Sequence, residues 1–125
     1  MSKETIDLAG VLIWTSADHF PAMATFYTDI MELPTRSQRD GFINFEWGEM
    51  RLTVATHDAV VGHSSEPLRM MVNFAVHDIV KVHARLVHRG VAFSRDPERE
   101  SWGVVATFED PDGNVLQLLQ LDVRK

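Results

Sequence analysis

The chain reads twice through the same order of elements, and that repeat limits its fold more than any other feature. Leu8–Thr15 (LAGVLIWT) is an apolar run with β-branched and aromatic members, which reads as a strand. Ser16 or Asp18 can cap a following helix, and Pro21 suits its first turn. Phe20, Met23, Ala24, Tyr27, Ile30 and Met31 recur at helical spacing until Pro34. A weaker strand over Thr35–Arg39 precedes Phe42–Trp47 and Met50–Thr56, which a Gly48-Glu49 hairpin turn joins. His57–Pro67 (HDAVVGHSSEP) is a linker with little periodicity. The order then recurs. Met70–Val76 is a strand, and Asp78 caps a helix that carries Ile79, Val82, Leu86 and Val87 on one face. Gly90 stands where a left-handed helix terminus belongs. Val91–Ser94, Gly103–Glu109 and Val115–Leu121 are strands, the last two joined by the turn Asp110-Pro111-Asp112-Gly113-Asn114. Asp18 and Asp78 hold the same strand-to-helix place in the two passes. A repeat of roughly 50–60 residues predicts two copies of a βαβββ module.

Composition narrows the class. With 125 residues the chain has the length of one domain, and 45% hydrophobic residues suffice for a core. Net charge is −6, and no basic stripe interrupts it, so nucleic acid and anionic membrane surfaces are not expected partners. Apolar runs fall far short of the roughly 20 residues that span a bilayer. The polar start MSKETIDLAG lacks a signal-peptide core, which leads to an expectation of a cytoplasmic protein. There is no cysteine, which removes disulfides, thiolate catalysis and thiolate metal sites together. Charge is uneven between the halves: residues 1–67 carry 4 basic and 10 acidic side chains, residues 68–125 carry 8 of each.

Three segments carry a family likeness: Phe26–Pro34 (FYTDIMELP), Asn73–Ile79 (NFAVHDI) and Phe108–Leu118 (FEDPDGNVLQL). With them the chain resembles the vicinal oxygen chelate superfamily, the fold of glyoxalases, bleomycin-resistance proteins, fosfomycin-resistance transferases and extradiol dioxygenases. The resemblance spans about Leu8 to Leu121 and bears on fold rather than on function. It implies an α+β protein of two pseudo-repeated βαβββ modules. Each would be a curled mixed sheet with a helix on its outer face, and the sheets would form a cleft within one chain or between the chains of a dimer. The single domain 1–125 then divides into a module over about 8–56, a linker over 57–67 and a module over about 70–121. In metal-dependent members two His and two Glu, from the first and last strand of each module, hold the metal.

Strand alternation assigns the faces. Leu12 and Trp14, Leu52 and Val54, Val72, Phe74 and Val76, and Leu116 and Leu118 are read as helix-side. The ligand positions that the resemblance implies then fall on Val11, Thr53, Met71 and Gln117. None is a histidine or a carboxylate, so no metal and no cofactor are expected. The six histidines read as exposed, with His83 partly buried on the second helix and His57 at a strand end where it can reach a ligand.

Pairing through the Gly48-Glu49 turn sets Trp47 against Met50, Glu46 against Arg51, Phe45 against Leu52 and Asn44 against Thr53. Asn44, Glu46, Arg51 and Thr53 therefore share the face away from the helix. With His57, Met71, Asn73 and Gln117, and with Trp102 at the mouth, they form the candidate ligand set. Asn73, amid apolar neighbours, is expected to be a buried amide that needs a partner. The leading reading is a protein of bleomycin-resistance type that binds a small organic molecule without the usual metal, as a homodimer. One alternative is a metal-dependent glyoxalase-, lyase- or dioxygenase-like enzyme with unusual ligands. The other is a metal-free isomerase or lyase with Glu46 or His57 as general base.

Overall fold

The structure, a computed structural model, describes residues 4–123; Met1–Lys3 and Arg124–Lys125 lie outside the described residues. The chain divides between Val61 and Gly62 into two compact units. The fold is α+β, and each unit is one βαβββ repeat.

The first unit contains β1 (Gly10–Thr15), α1 (Phe20–Thr25), β2 (Thr35–Arg39), β3 (Phe42–Trp47) and β4 (Met50–Thr56). Its open sheet has the order β1-β4-β3-β2, with β1 parallel to β4 and the other pairs antiparallel. The predicted first helix is present, but it continues as a π-helical turn over Phe26–Ile30, where the Met31 N–H donates to the Phe26 carbonyl at 2.9 Å. Met23, Phe26, Tyr27 and Met31 are buried there, and the helix packs on β4. Opposite them lie Ile43, Phe45, Leu52 and Val54, all but fully buried. Each such side chain contributes about 1.5–3 kcal/mol of burial free energy.

One face reading is reversed. Val11 and Ile13 stand in register with Leu52 and Val54 and so point to the helix side, whereas Leu12 and Trp14 stand beside Thr53 and Ala55 on the other face. Trp14 is therefore 43% exposed and Leu12 48%, not core. The sequence VLIW is apolar on both sides of the strand and marks neither face. The parallel register with β4 decides it, and Gly10 permits that register: a Cβ at this position would lie 2.2 Å from the Arg51 carbonyl oxygen.

The second unit contains β5 (Met71–Ala75), α2 (Ile79–His88), β6 (Phe93–Glu100), β7 (Gly103–Glu109) and β8 (Val115–Leu121), in the order β5-β8-β7-β6. The expected cap is in place, with the Asp78 carboxylate accepting from the Lys81 N–H at 3.1 Å. The Gln120 side-chain oxygen takes a further free donor of the helix start, the Ile79 N–H, at 2.7 Å. At the other end Gly90 has φ +92°, the Val91 N–H donates to Leu86 and the Gly90 N–H to Val87. This is a Schellman terminus, and its apolar contact pair, Leu86 and Val91, is buried. Ile79, Leu86, Ala106, Phe108, Leu116 and Leu118 form the core.

β6 is longer than the Val91–Ser94 strand expected from the sequence. SRDPERE is polar and contains Pro97, which reads as a loop, but an edge strand accepts both. β2 (TRSQR), the other sheet's edge, is likewise wholly exposed and polar. Among the described residues no helix is long and apolar enough to cross a membrane.

Candidate functional site

The face of the first sheet turned away from α1 collects the candidate residues of the first unit, Asn44, Glu46, Arg51 and Thr53. The predicted hairpin register holds: Asn44 faces Thr53, and Glu46 faces Arg51. Alternation brings Phe42 to the same side, where it pairs with Ala55, and β1 adds Leu12 and Trp14. β2 adds Ser37 opposite Asn44 and Arg39 opposite Phe42. Together these strands shape a hollow of about 590 Å³ whose lining includes Leu12, Trp14, Phe42, Asn44, Arg51 and Thr53.

The polar groups are held by one another. The Thr53 hydroxyl donates to the side-chain oxygen of Asn44, which leaves the Asn44 amide N–H groups as donors on the face. Glu46 accepts from Arg36 at 2.7 and 3.0 Å and lies 3.5 Å from the Arg51 Nε. The Arg36 hydrogen bond, with the charges of Arg36 and Arg51 added, holds the Glu46 carboxyl below its usual 4.5 despite some desolvation. A carboxylate engaged by two guanidinium groups is a weak proton acceptor. Arg36 reaches Glu46 because the β2–β3 register shifts between Thr35 and Ser37. The Arg39 guanidinium lies 4.2 Å above the centre of the Phe42 ring. His57 sits just past β4, its ring edge-on to Trp14 at 5.0 Å. Its Nδ1 accepts from the Ala59 N–H at 3.0 Å, so the neutral ring carries its proton on Nε2.

Met71, Asn73, Trp102 and Gln117 belong to the second unit. Asn73 and Gln117 are adjacent on the face away from α2, with Met71 two residues along the same strand. The Gln117 amide donates to the Thr107 hydroxyl at 3.1 Å. Asn73 is exposed, which corrects the expectation of a buried amide: β5 is an edge strand, and none of the second unit's described residues covers this side of it. Trp102 stands at the β6–β7 turn, beside Gly103, which pairs with Leu121 four positions beyond Gln117. Arg95 adds an ionic cluster to this face, paired with Glu98 at 3.1 Å and with Glu100. Both bonds, that to Glu98 first, raise the guanidinium pKa further.

Sequence reasoning missed Leu12, Trp14, Arg36, Arg39, Phe42 and Arg95. For Leu12 and Trp14 the parallel register was needed. For the arginines the available signal was a polar strand, TRSQR or SRDPERE, beside an apolar hairpin.

The donor set does not fit the metal that the resemblance implies. Val11 points to the helix side, and the residue beside Thr53 is Leu12. Thr53, Met71, Asn73 and Gln117 offer neither imidazole nor carboxylate. Among the described residues, no three His, Cys, Asp or Glu side chains form a group that could hold a metal ion. His83 meets Phe93 edge-on, with ring centres 4.4 Å apart, and meets Asp96 at 3.0 Å, a packing role on α2.

The family model for the Glyoxalase/Bleomycin resistance protein/Dioxygenase superfamily matches residues 14–118. The chain is 38% identical over 47 residues to the uncharacterized protein YurT of Bacillus subtilis (strain 168), an alignment over 38% of this chain that spans only 37% of that protein's length. It is 25% identical over 115 residues to the uncharacterized protein YraH of the same organism, covering 82% of this chain and 90% of YraH. Among solved structures it is similar in fold to TnmS3, an antibiotic binding protein from Streptomyces sp. CB03234. There the TM-score is 0.75 and the identity 22%, over 97% of this chain and 100% of TnmS3.

Proposed function

The chain belongs to the Glyoxalase/Bleomycin resistance protein/Dioxygenase superfamily, and from that premise we propose that it binds a small organic molecule on the open face of its first unit, without a metal. The observation that carries this reading is the make-up of that face. The solvated side of an antiparallel hairpin ordinarily alternates to polar residues. Here Leu12, Trp14 and Phe42 line a hollow of about 590 Å³ around the Asn44–Thr53 pair. Apolar walls with a few fixed polar groups suit a small ligand. TnmS3, which is similar in fold, is described as an antibiotic binding protein, and binding by itself needs no reacting group. Met71, Asn73, Trp102 and Gln117 are candidate ligand contacts on the second unit's own open face.

The test is a fluorescence titration with a set of flat aromatic antibiotics, read on the wild type and on Trp14→Ala and Thr53→Ala. Saturable binding is expected, weakened about tenfold by Trp14→Ala and unchanged by Lys81→Ala on the surface of α2. Absence of saturable binding, or equal affinity in all variants, refutes the reading.

A further inference from the structure

Charge separates this face from the rest of the first unit. Residues 1–61, the first unit, hold nine acidic side chains and only four basic ones, Lys3, Arg36, Arg39 and Arg51. The three arginines come to a single sheet face. Arg36 and Arg51 both meet Glu46, while Arg39 and Arg51 line the hollow beside Trp14 and Phe42. The carboxylates there are Glu46 and Asp40, so three guanidinium groups stand against two acids in a unit whose net charge is otherwise strongly negative.

The arginines are also unequally engaged. Arg36 spends its charge on both oxygens of Glu46. Arg51 touches Glu46 only through Nε, at 3.5 Å, and half of its side chain remains exposed. Arg39 has no ion pair among the described residues and lies over the Phe42 ring, which orients the guanidinium before any ligand arrives. A guanidinium fork matches a carboxylate in two parallel hydrogen bonds. A neutral ligand that covered these two groups would desolvate them without a partner, and a cationic one would add repulsion.

We infer that the ligand of this face is a flat aromatic anion whose ring packs on Trp14 and Phe42 while its carboxylate, or an equivalent delocalised oxyanion, is taken by Arg51 and Arg39. The inference rests on the ligand-binding reading above and adds the chemical class.

Naphthoate, naphthamide and naphthylmethylammonium present one ring with three charges. Calorimetric titration of the full chain should rank them in that order, with naphthoate tighter than naphthamide by about tenfold or more. Arg51→Gln and Arg39→Gln, verified as folded by circular dichroism, should each weaken naphthoate about fivefold and leave naphthamide almost unchanged. Trp14→Ala should weaken both. Equal affinity for naphthoate and naphthamide, or arginine variants that leave the preference intact, overturns the inference. If both probes bind equally and both depend on Trp14, only the charge assignment fails. If neither probe binds, or Trp14→Ala changes nothing, the ligand-binding reading fails and the inference with it.

Discussion

Asp110 opens the turn between β7 and β8, and its replacement tests why that turn has the sequence it has. Its carboxylate accepts from the Asp112 N–H at 2.9 Å, from the Asn114 N–H at 3.0 Å and from the Asn114 side-chain amide at 2.9 Å. The Asp110 N–H donates to the Asn114 carbonyl and the Gly113 N–H to the Asp110 carbonyl, closing the loop on itself. Asp110 is only 4% exposed. Asp110→Ala strands three donors, two of them backbone groups. Each stranded donor costs about 1–3 kcal/mol, and water admitted to the turn recovers part, so a net loss of about 3–5 kcal/mol is expected. A domain's total stability is commonly about 5–15 kcal/mol, so this is a large share. Asp110→Asn keeps an oxygen for the two backbone donors but sets an NH₂ against that of Asn114, and should cost about 1–2 kcal/mol. Urea denaturation followed by circular dichroism should rank wild type above Asn above Ala, with an unchanged slope. An Ala variant that loses less than about 1 kcal/mol would show that the carboxylate is not what holds the turn.

Two further outcomes follow from charge and surface. Glu46 is ionised to lower pH in the folded chain than its usual 4.5, so the stability from its pairing is complete above that value and is lost as pH falls through the folded value. In a carboxyl NMR titration, Arg36→Gln should raise the Glu46 midpoint more than Arg51→Gln does, and the reverse order would contradict the assignment of Arg36 as the dominant partner. We also propose that the chain works as a homodimer, because Trp47, Met50, Met70, Met71, Trp102 and Leu121 are exposed apolar side chains suited to a seam. Sedimentation should then show a dimer mass that dissociates on dilution, and a monomer at all concentrations would reject it.

Much of the architecture was legible because local chemistry and pattern agree. FINFEW and MRLTVAT alternate cleanly about a Gly48-Glu49 turn, so their register and shared face follow from a period of two. Asp78 and Gly90 bracket α2 because a cap needs a short-range acceptor and a left-handed residue needs no Cβ. Asp110–Asn114 closes β7 on β8 through bonds within five residues. Where the pattern was silent, tertiary structure decided. VLIW is apolar on both faces, and only its parallel pairing with β4, more than thirty residues away in sequence, turns Leu12 and Trp14 outward. The same holds for Arg36, Arg39 and Arg95, which lie on polar edge strands with no hydrophobic side to orient them; pairing to β3 and β7 brings them over their faces. A short-range pattern encodes only contacts that neighbouring residues make. The open face of the first unit is built from four strands whose order in space differs from their order in the chain, so its membership was settled only by long-range pairing.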